Sequence, residues 1–271
     1  MPGNPAFHRT ELILGEAGMG RLADARVILF GVGGVGSWCA EALVRTGIEH
    51  LTIVDSDVIC ITNLNRQLQT TRANVGKVKV TELAARLGSI CPDAQIVPVQ
   101  EVYNEHTRDS FDIAAYDYVI DAIDSLSYKV DLLATASQAD CTVFSAMGAA
   151  CKLDPTRIRV DSIWNSQGCP LAREVRKRLR RRGVDGDFQC VYSEELLPGS
   201  GTHSACGTGE CFCPKLRTAD GGETAADEWC TKKAQVNGSV AHMTGAFGFF
   251  LAGLVVQDVV NRAGDGAGLP D

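Results

Sequence analysis

The segment Val27-Ile28-Leu29-Phe30-Gly31-Val32-Gly33-Gly34-Val35-Gly36 constrains this chain more than any other, because an apolar run that ends in a glycine-rich turn has few ways to fold. A short apolar run bounded by a turn reads as a buried strand. Glycine lets the backbone turn sharply and lets it approach a phosphate with no Cβ in the way. The stretch from Val35 to Val44 has helical spacing, so its first amides, with the positive end of the helix dipole behind them, would face an anion. Strand, tight turn and helix start are thereby predicted, with Gly31, Gly33, Gly34 and Gly36 as candidate nucleotide-binding positions. Nicotinamide and flavin enzymes use the same turn, so it fixes a class of fold before a class of reaction.

Further apolar runs at 51–54, 95–99, 118–121 and 142–146, separated by helical stretches, predict an α/β fold with a Rossmann-like, mainly parallel sheet and helices on both faces. Beyond Ala146 the order loosens: 156–163 and 189–193 read as strands, and 199–235 as a long loop rich in turn formers. With 271 residues, 45% hydrophobic and 22% charged, the chain can bury one large core. We expect a single domain over 1–263, with a nucleotide-binding part at 1–146, an appended substrate-side part at 147–263 and a disordered tail at 264–271. The apolar run 240–256 approaches the length of a membrane span. It contains His242 and three glycines and lacks flanking aromatic and basic anchors, so a buried core helix is expected and no span. Neither a signal peptide nor a basic leader precedes the fold, which predicts a cytoplasmic protein.

The reaction class comes from the polar residues that follow the turn. Asp55 closes the run Leu51-Thr52-Ile53-Val54, where a carboxylate would hydrogen-bond ribose hydroxyls in any Rossmann-type site. Asp57, Asn63, Arg66, Lys79 and Asp124 come next, and a dinucleotide has no obvious use for them. Arg66 and Lys79 suit phosphate oxygens, one as a fork and the other as a point charge. Asp124 follows the strand Tyr118-Val119-Ile120 at the carboxyl edge, where it could hold magnesium together with substrate phosphates. No Gly-x-x-x-x-Gly-Lys-Ser/Thr segment is present, which disfavours ordinary P-loop chemistry. Taken singly, Asp57 reads equally as a turn former, Arg66 and Lys79 as solvated surface and Asp124 as a helix cap. The ordered set points to an ATP-consuming site.

Eleven cysteines scattered through predicted strands and helices suggest reduced thiols. Cys206, Cys211 and Cys213, with Cys230, form the one cluster whose spacing raises zinc, and it lacks the paired Cys-x-x-Cys of common structural sites. Cys190 is either a nucleophile or sulfur acceptor, or a small residue filling a strand; the second reading is favoured. Despite a formal net charge of −7, residues 170–182 hold seven basic side chains. Pro170 suits a first helical turn and Leu171, Val175 and Leu179 recur every four residues, so one stripe would pack while Arg173, Arg176, Lys177 and Arg180 face outward as candidate RNA-phosphate contacts. A solvated helix face accounts for the same charges nearly as well.

Gly31 to Gly36, Asp55 to Gln67 and Gly76-Lys77-Val78-Lys79 together resemble the adenylating enzymes related to ubiquitin-activating enzyme, a family that includes the molybdopterin-synthase and thiamine-pathway sulfur-carrier adenylyltransferases. The likeness covers nearly the whole chain. It implies that Gly34 lies under the phosphates, that Asp55 holds ribose, and that Asn63, Arg66 and Lys79 contact the triphosphate. Asp57 would lie near the reacting phosphate and Asp124 would ligate magnesium. Phe7-His8-Arg9 is similar to a segment whose arginine reaches the partner subunit's nucleotide, which implies a homodimer completed by Arg9.

The longer matches lie in Arg9-Thr10-Glu11-Leu12, Gly33 to Trp38, Val119 to Ser125, Leu153-Asp154-Pro155-Thr156, Cys190 to Glu194 and Thr244 to Phe249. They resemble the branch that acts on tRNA, where ATP activates the carboxylate of a threonylcarbamoyl group on an anticodon-loop adenosine before it cyclises. Residues 199–236 depart from that pattern. The resemblance leaves room for a monovalent cation and a sulfur-transfer protein partner. Activation of the C-terminal Gly-Gly of a ubiquitin-like sulfur carrier would use the same nucleotide residues, and a NAD-binding oxidoreductase would use only the first of them.

Overall fold

The structure, a computed structural model, describes residues 3–197 and 237–262. Each apolar run becomes a strand: β1 (Arg26–Phe30), β2 (His50–Val54), β3 (Gln95–Val99), β4 (Tyr118–Asp121) and β5 (Thr142–Ala146). Alternate residues of one strand serve opposite cores, with Val27 and Leu29 packing on one face of the sheet and Ile28 and Phe30 on the other. Helices α1 (His8–Asp24), α2 (Gly36–Thr46), α3 (Lys79–Ile90) and α6 (Ala241–Asn261) cover the first face, and α4 (Leu126–Ala136) and α5 (Pro170–Arg181) the second.

The sheet has the order β3-β2-β1-β4-β5-β7-β6, with β6 at Ile158–Ser162 and β7 at Gln189–Ser193. β7 runs parallel to β5, and β6 returns antiparallel at the edge. The substrate-side strands expected as an appended region are therefore the continuation of the same sheet. Strand order reverses between β1 and β4, whose register pairs Phe30 with Asp121. Their carboxyl ends flank the crevice where open α/β sheets bind ligands.

At that crevice the turn after β1 tolerates nothing larger than glycine at two positions. Gly31 has φ +87, and a Cβ there would lie 2.7 Å from the Ala122 carbonyl oxygen in the turn after β4. A Cβ on Gly36 would lie 1.8 Å from the Gly31 carbonyl oxygen. Gly33 is different, since the nearest atom to its would-be Cβ is Gln67 Nε2 at 3.8 Å.

The expected core helix is α6, and it is only half buried. Met243, Phe247, Leu251 and Val255 pack into the core, while Phe249 and Phe250 are exposed. By length and composition it is long enough to cross a membrane, yet its buried face is built into the sheet's covering layer. It crosses the start of α2 so closely that a Cβ on Gly248 would lie 2.6 Å from the Val35 carbonyl oxygen. The predicted tail 264–271 and the loop 199–235 lie outside the described residues.

The glycine geometry gives a paired expectation. Gly36→Ala should lose about 3 kcal/mol of stability, because the clash is with backbone that cannot move aside, whereas Gly33→Ala should stay within about 0.5 kcal/mol of wild type. Urea unfolding of both variants measures this, and an equally stable pair would contradict the packing described.

Candidate active site

Asp55, Asp57, Lys79 and Asp124 converge at the carboxyl edge, although up to 69 residues of chain separate them. The loop after β2 is folded back on itself by a bridge between Val58 and Val78. The Ile59 amide donates to the Lys77 carbonyl at 2.8 Å and the Lys79 amide donates to the Asp57 carbonyl at 3.1 Å. That brings Lys79, the first residue of α3, against Asp57, with Nζ 2.7 Å from Oδ2. The lysine side chain is 5% exposed, so its charge is withdrawn from bulk water. Asp55 accepts from the Val32 amide at 2.8 Å and from the Asp57 amide at 2.9 Å, which ties the glycine turn to the acidic loop.

The electrostatics follow from that packing. Burial is the largest influence on Lys79 and favours its neutral form, but the fields of Asp55, Asp57 and Asp124, with the hydrogen bond it donates to Asp57, together outweigh it and raise the ammonium above the usual lysine range. Burial also dominates at Asp55; with the like charge of Asp57 it holds the carboxyl above the usual range, against the pull of Lys79 and the two amides. A cation already surrounded by carboxylates and facing a crevice is equipped to meet phosphate oxygens without reorganising.

The segment 63–70 forms the wall. Asn63 is buried and its Oδ1 accepts from the Cys60 amide at 2.9 Å, so the acceptor end of this predicted phosphate contact is spent on closing its own turn. Arg66 donates from Nη1 to the Thr62 carbonyl at 2.9 Å and to Asn65 Oδ1 at 3.1 Å, and its own carbonyl accepts from the Trp38 indole at 3.0 Å. Gly34 does not face open space: a Cβ there would lie 3.1 Å from Thr244 Cγ2 and 3.3 Å from Arg66 Cγ. Gly33 is the glycine with room beside it. Gln67 Oε1, Gln69 Oε1 and Thr70 Oγ1 are buried without a hydrogen-bond partner. Trp38, Gln67 and Thr244, which the sequence offers only as members of longer matching segments, gain individual places here; Trp38 and Thr244 come to this wall from helices that the chain alone does not place there.

Arg9 lies exposed in the first turn of α1, ahead of a kink at Gly15 and beside exposed Leu12 and Ile13. On α5, Arg173, Lys177 and Arg180 are exposed along one stripe, but Arg176 is not part of it. Its Nη1 donates to the Ser166 carbonyl at 2.7 Å and also to Ser166 Oγ, because that loop turns carbonyls inward which need a donor. Arg180 lies over the Trp164 ring at 5.2 Å. The stripe that packs is Ala172, Val175 and Leu179, with Leu171 only partly buried.

Cys190 is fully buried on β7 and burial pushes its thiol up to about 12, which suits a packed residue and not a nucleophile. The described cysteines are free thiols. The cluster Cys206, Cys211, Cys213 and Cys230 lies outside the described residues. A separate cleft of about 990 Å³ between Phe188, Phe249 and Phe250 opens at the amino ends of β5 and β7, away from Asp55 and Asp124.

A nucleotide crevice of this construction defines an adenylating-type α/β protein, and the ThiF family model matches residues 7–265: the chain belongs to the ThiF family. It is 40% identical over 189 residues to the tRNA threonylcarbamoyladenosine dehydratase of Bacillus subtilis, covering 70% of this chain and 74% of that protein. It is 31% identical over 244 residues to the Haemophilus influenzae protein of the same name, covering 90% and 89%. Among solved structures it is similar to E. coli tRNA N6-threonylcarbamoyladenosine dehydratase in complex with ATP, with a TM-score of 0.80, 30% identity and coverage of 97% of this chain and 96% of that one.

Because its folded-state value is raised, Lys79 contributes stability that is fully present below the ordinary lysine value of about 10.4 and is lost as pH rises through the higher folded value. The melting-temperature gap between wild type and Lys79→Met should therefore be constant around neutrality and narrow only above about pH 10. A gap that already narrows well below that pH would mean the ammonium is not held by the three carboxylates.

Proposed function

We propose that this protein uses ATP to adenylate the threonyl carboxylate of threonylcarbamoyladenosine in tRNA, after which the acyl-adenylate closes to a cyclic base and releases AMP. The observation that carries the reading is the convergence of Lys79 with Asp55, Asp57 and Asp124 beside the glycine turn. Membership of the ThiF family and relatives bearing the dehydratase name support the choice of substrate.

A carboxylate oxygen leaves poorly until it is joined to phosphate, so the scheme has two steps. First, a carboxylate oxygen attacks the α-phosphorus and the bond to pyrophosphate breaks. Arg66 and Lys79 balance the charge that develops on the phosphates, a role typically worth about 3 to 4 kcal/mol for one well-placed donor. Next, a nucleophile of the same modified base attacks the acyl carbon and AMP departs with the activated oxygen. Holding both ends of one substrate together replaces a protein nucleophile, in keeping with the inert Cys190 thiol.

Several features of the crevice fit the nucleotide. Asp55 lies at the end of β2 to meet ribose, and Gly33, the glycine of the turn with room beside it, keeps a side chain off the phosphates. The unpartnered Gln67, Gln69 and Thr70 atoms are a polar lining that a nucleotide could satisfy. Asn63 retains an amide nitrogen able to donate to the triphosphate. Asp124 is the residue to hold magnesium: among the described residues no group of three or more His, Cys, Asp or Glu could cage a metal, and magnesium favours a carboxylate shared with substrate phosphates. When bound there it supplies neutralising charge. Arg9, exposed on α1, would complete the site of a partner subunit in a homodimer, and a tRNA substrate puts the reaction in the cytoplasm. The exposed stripe Arg173, Lys177 and Arg180 would meet tRNA phosphates. The scheme needs neither a monovalent cation nor a sulfur-transfer protein.

Purified protein given ATP, magnesium and tRNA carrying threonylcarbamoyladenosine should yield the cyclic nucleoside on digestion, with AMP and pyrophosphate. Arg66→Ala should slow this by about a hundredfold or more while remaining folded. Arg173→Glu with Lys177→Glu should weaken tRNA binding, flatten its salt dependence and leave ATP affinity unchanged. An unmodified digest from active, ATP-binding wild-type protein would reject the substrate assignment.

A further inference from the structure

We propose that Lys129 is a positioning residue of the ATP site: its ammonium, buried beneath the switch point, locks the turn that presents Asp124. The inference rests on the nucleotide reading above and adds a residue to its machinery.

Lys129 lies on α4, and both it and Asp121 have side chains 0% exposed. Its Nζ donates to Asp121 Oδ2 at 2.5 Å and to the Ala146 carbonyl at 2.9 Å. Both partners are the last residues of their strands, β4 and β5, so the lysine reaches from α4 to the carboxyl edge of the sheet. Asp121 is engaged at both oxygens. Ser145 Oγ donates to Oδ2 at 2.5 Å, and the Ile123 amide donates to Oδ1 at 3.0 Å.

That last bond is a side chain capturing the backbone amide two residues on, which sets the turn 121–124. The same turn is fixed on its other side, where the Ala122 amide donates to the Phe30 carbonyl at 2.8 Å and the Ala122 carbonyl abuts Gly31. Asp124 leaves this turn with its direction set. The Asp121 carboxylate can hold that geometry only while its charge is answered from below.

Stability alone gives a weak reason for such a pair. Two ions withdrawn completely from water rarely stabilise a fold more than apolar groups of the same volume, whereas removing one partner leaves the other stranded. Lys129 is flanked by buried Val130 and Leu133 and sits where an apolar side chain would be ordinary. What the ion pair adds is direction: three donors at fixed distances around one carboxylate, directly under a proposed ligand-facing residue.

The test compares wild type, Lys129→Met and the double variant Asp121→Asn/Lys129→Met, which removes both charges together. Melting temperature is measured, and ATP affinity is measured with magnesium and with a chelator. Lys129→Met should lose both stability and magnesium-dependent tightening of ATP. The double variant should recover melting temperature, because no buried charge is left unanswered, yet keep a tightening reduced by roughly tenfold, in the range that a small misplacement of a site group produces. Its chelator-phase affinity should match wild type, and turnover should fall in kcat more than in KM for ATP.

A folded double variant with wild-type tightening and kcat overturns the proposal. So does an equal loss of affinity with and without magnesium, which is what a merely loosened fold gives. Should the double variant not fold, Ser145→Ala removes a donor and no charge. It should reduce the tightening by about tenfold, the lower end of the worth of a hydrogen bond to a charged group, and an unaltered response in the folded protein also overturns the proposal. Wild-type protein that binds no ATP would instead remove the nucleotide reading on which this rests.

Discussion

One lysine held among three carboxylates organises the carboxyl edge of this sheet. Lys79 is buried against Asp57 at 2.7 Å and feels Asp55 and Asp124 as well. Burial alone would drive its proton off, and the acids prevent that. The arrangement is costly to assemble and has little purpose as a surface ion pair. It is intelligible where a nucleotide's phosphates take up the same space, because the charges then redistribute among phosphates and side chains without bringing new groups into place.

The backbone is built to leave that space open. Gly36 and Gly31 are required because β1, α2 and the turn after β4 pack against one another there, and α6 closes over the start of α2. Gly33 is different, since its missing side chain would meet only the end of Gln67, at 3.8 Å. Beneath them, Asp121 and Lys129 tie the second turn to the sheet. Both turns of the crevice are thus anchored in the fold before any ligand arrives.

Much of this was legible in the sequence. Strands β1, β2, β4 and β5 are buried on both faces and announce themselves as unbroken apolar runs. The order of Asp55, Asp57, Arg66, Lys79 and Asp124 identified candidate groups: Asp55, Asp57 and Asp124 follow strands and Lys79 opens a helix, while Arg66 lies in the turn between them. Direction of side chains was less legible. Arg176 turns inward to carbonyls of a loop ten residues away, and Asn63 spends its oxygen on its own turn. Thr244 reaches the glycine turn from a helix near the other end of the chain. Lys129, one charge in a stretch of mixed character, gives only a faint signal: a lysine next to the apolar face of an otherwise packed helix. The half-exposed α6 misled for the opposite reason, since Phe249 and Phe250 extend an apolar run beyond the face that is buried.

An oxygen-transfer experiment tests the central claim most directly. tRNA bearing threonylcarbamoyladenosine with heavy oxygen in the threonyl carboxylate is incubated with the protein, ATP and magnesium, and the products are weighed by mass spectrometry. Activation by adenylation delivers one heavy oxygen to the phosphate of AMP and none to pyrophosphate. AMP without the label, or heavy oxygen in inorganic phosphate accompanied by ADP, would contradict attack of that carboxylate on the α-phosphorus and, with it, the role given to the crevice around Lys79.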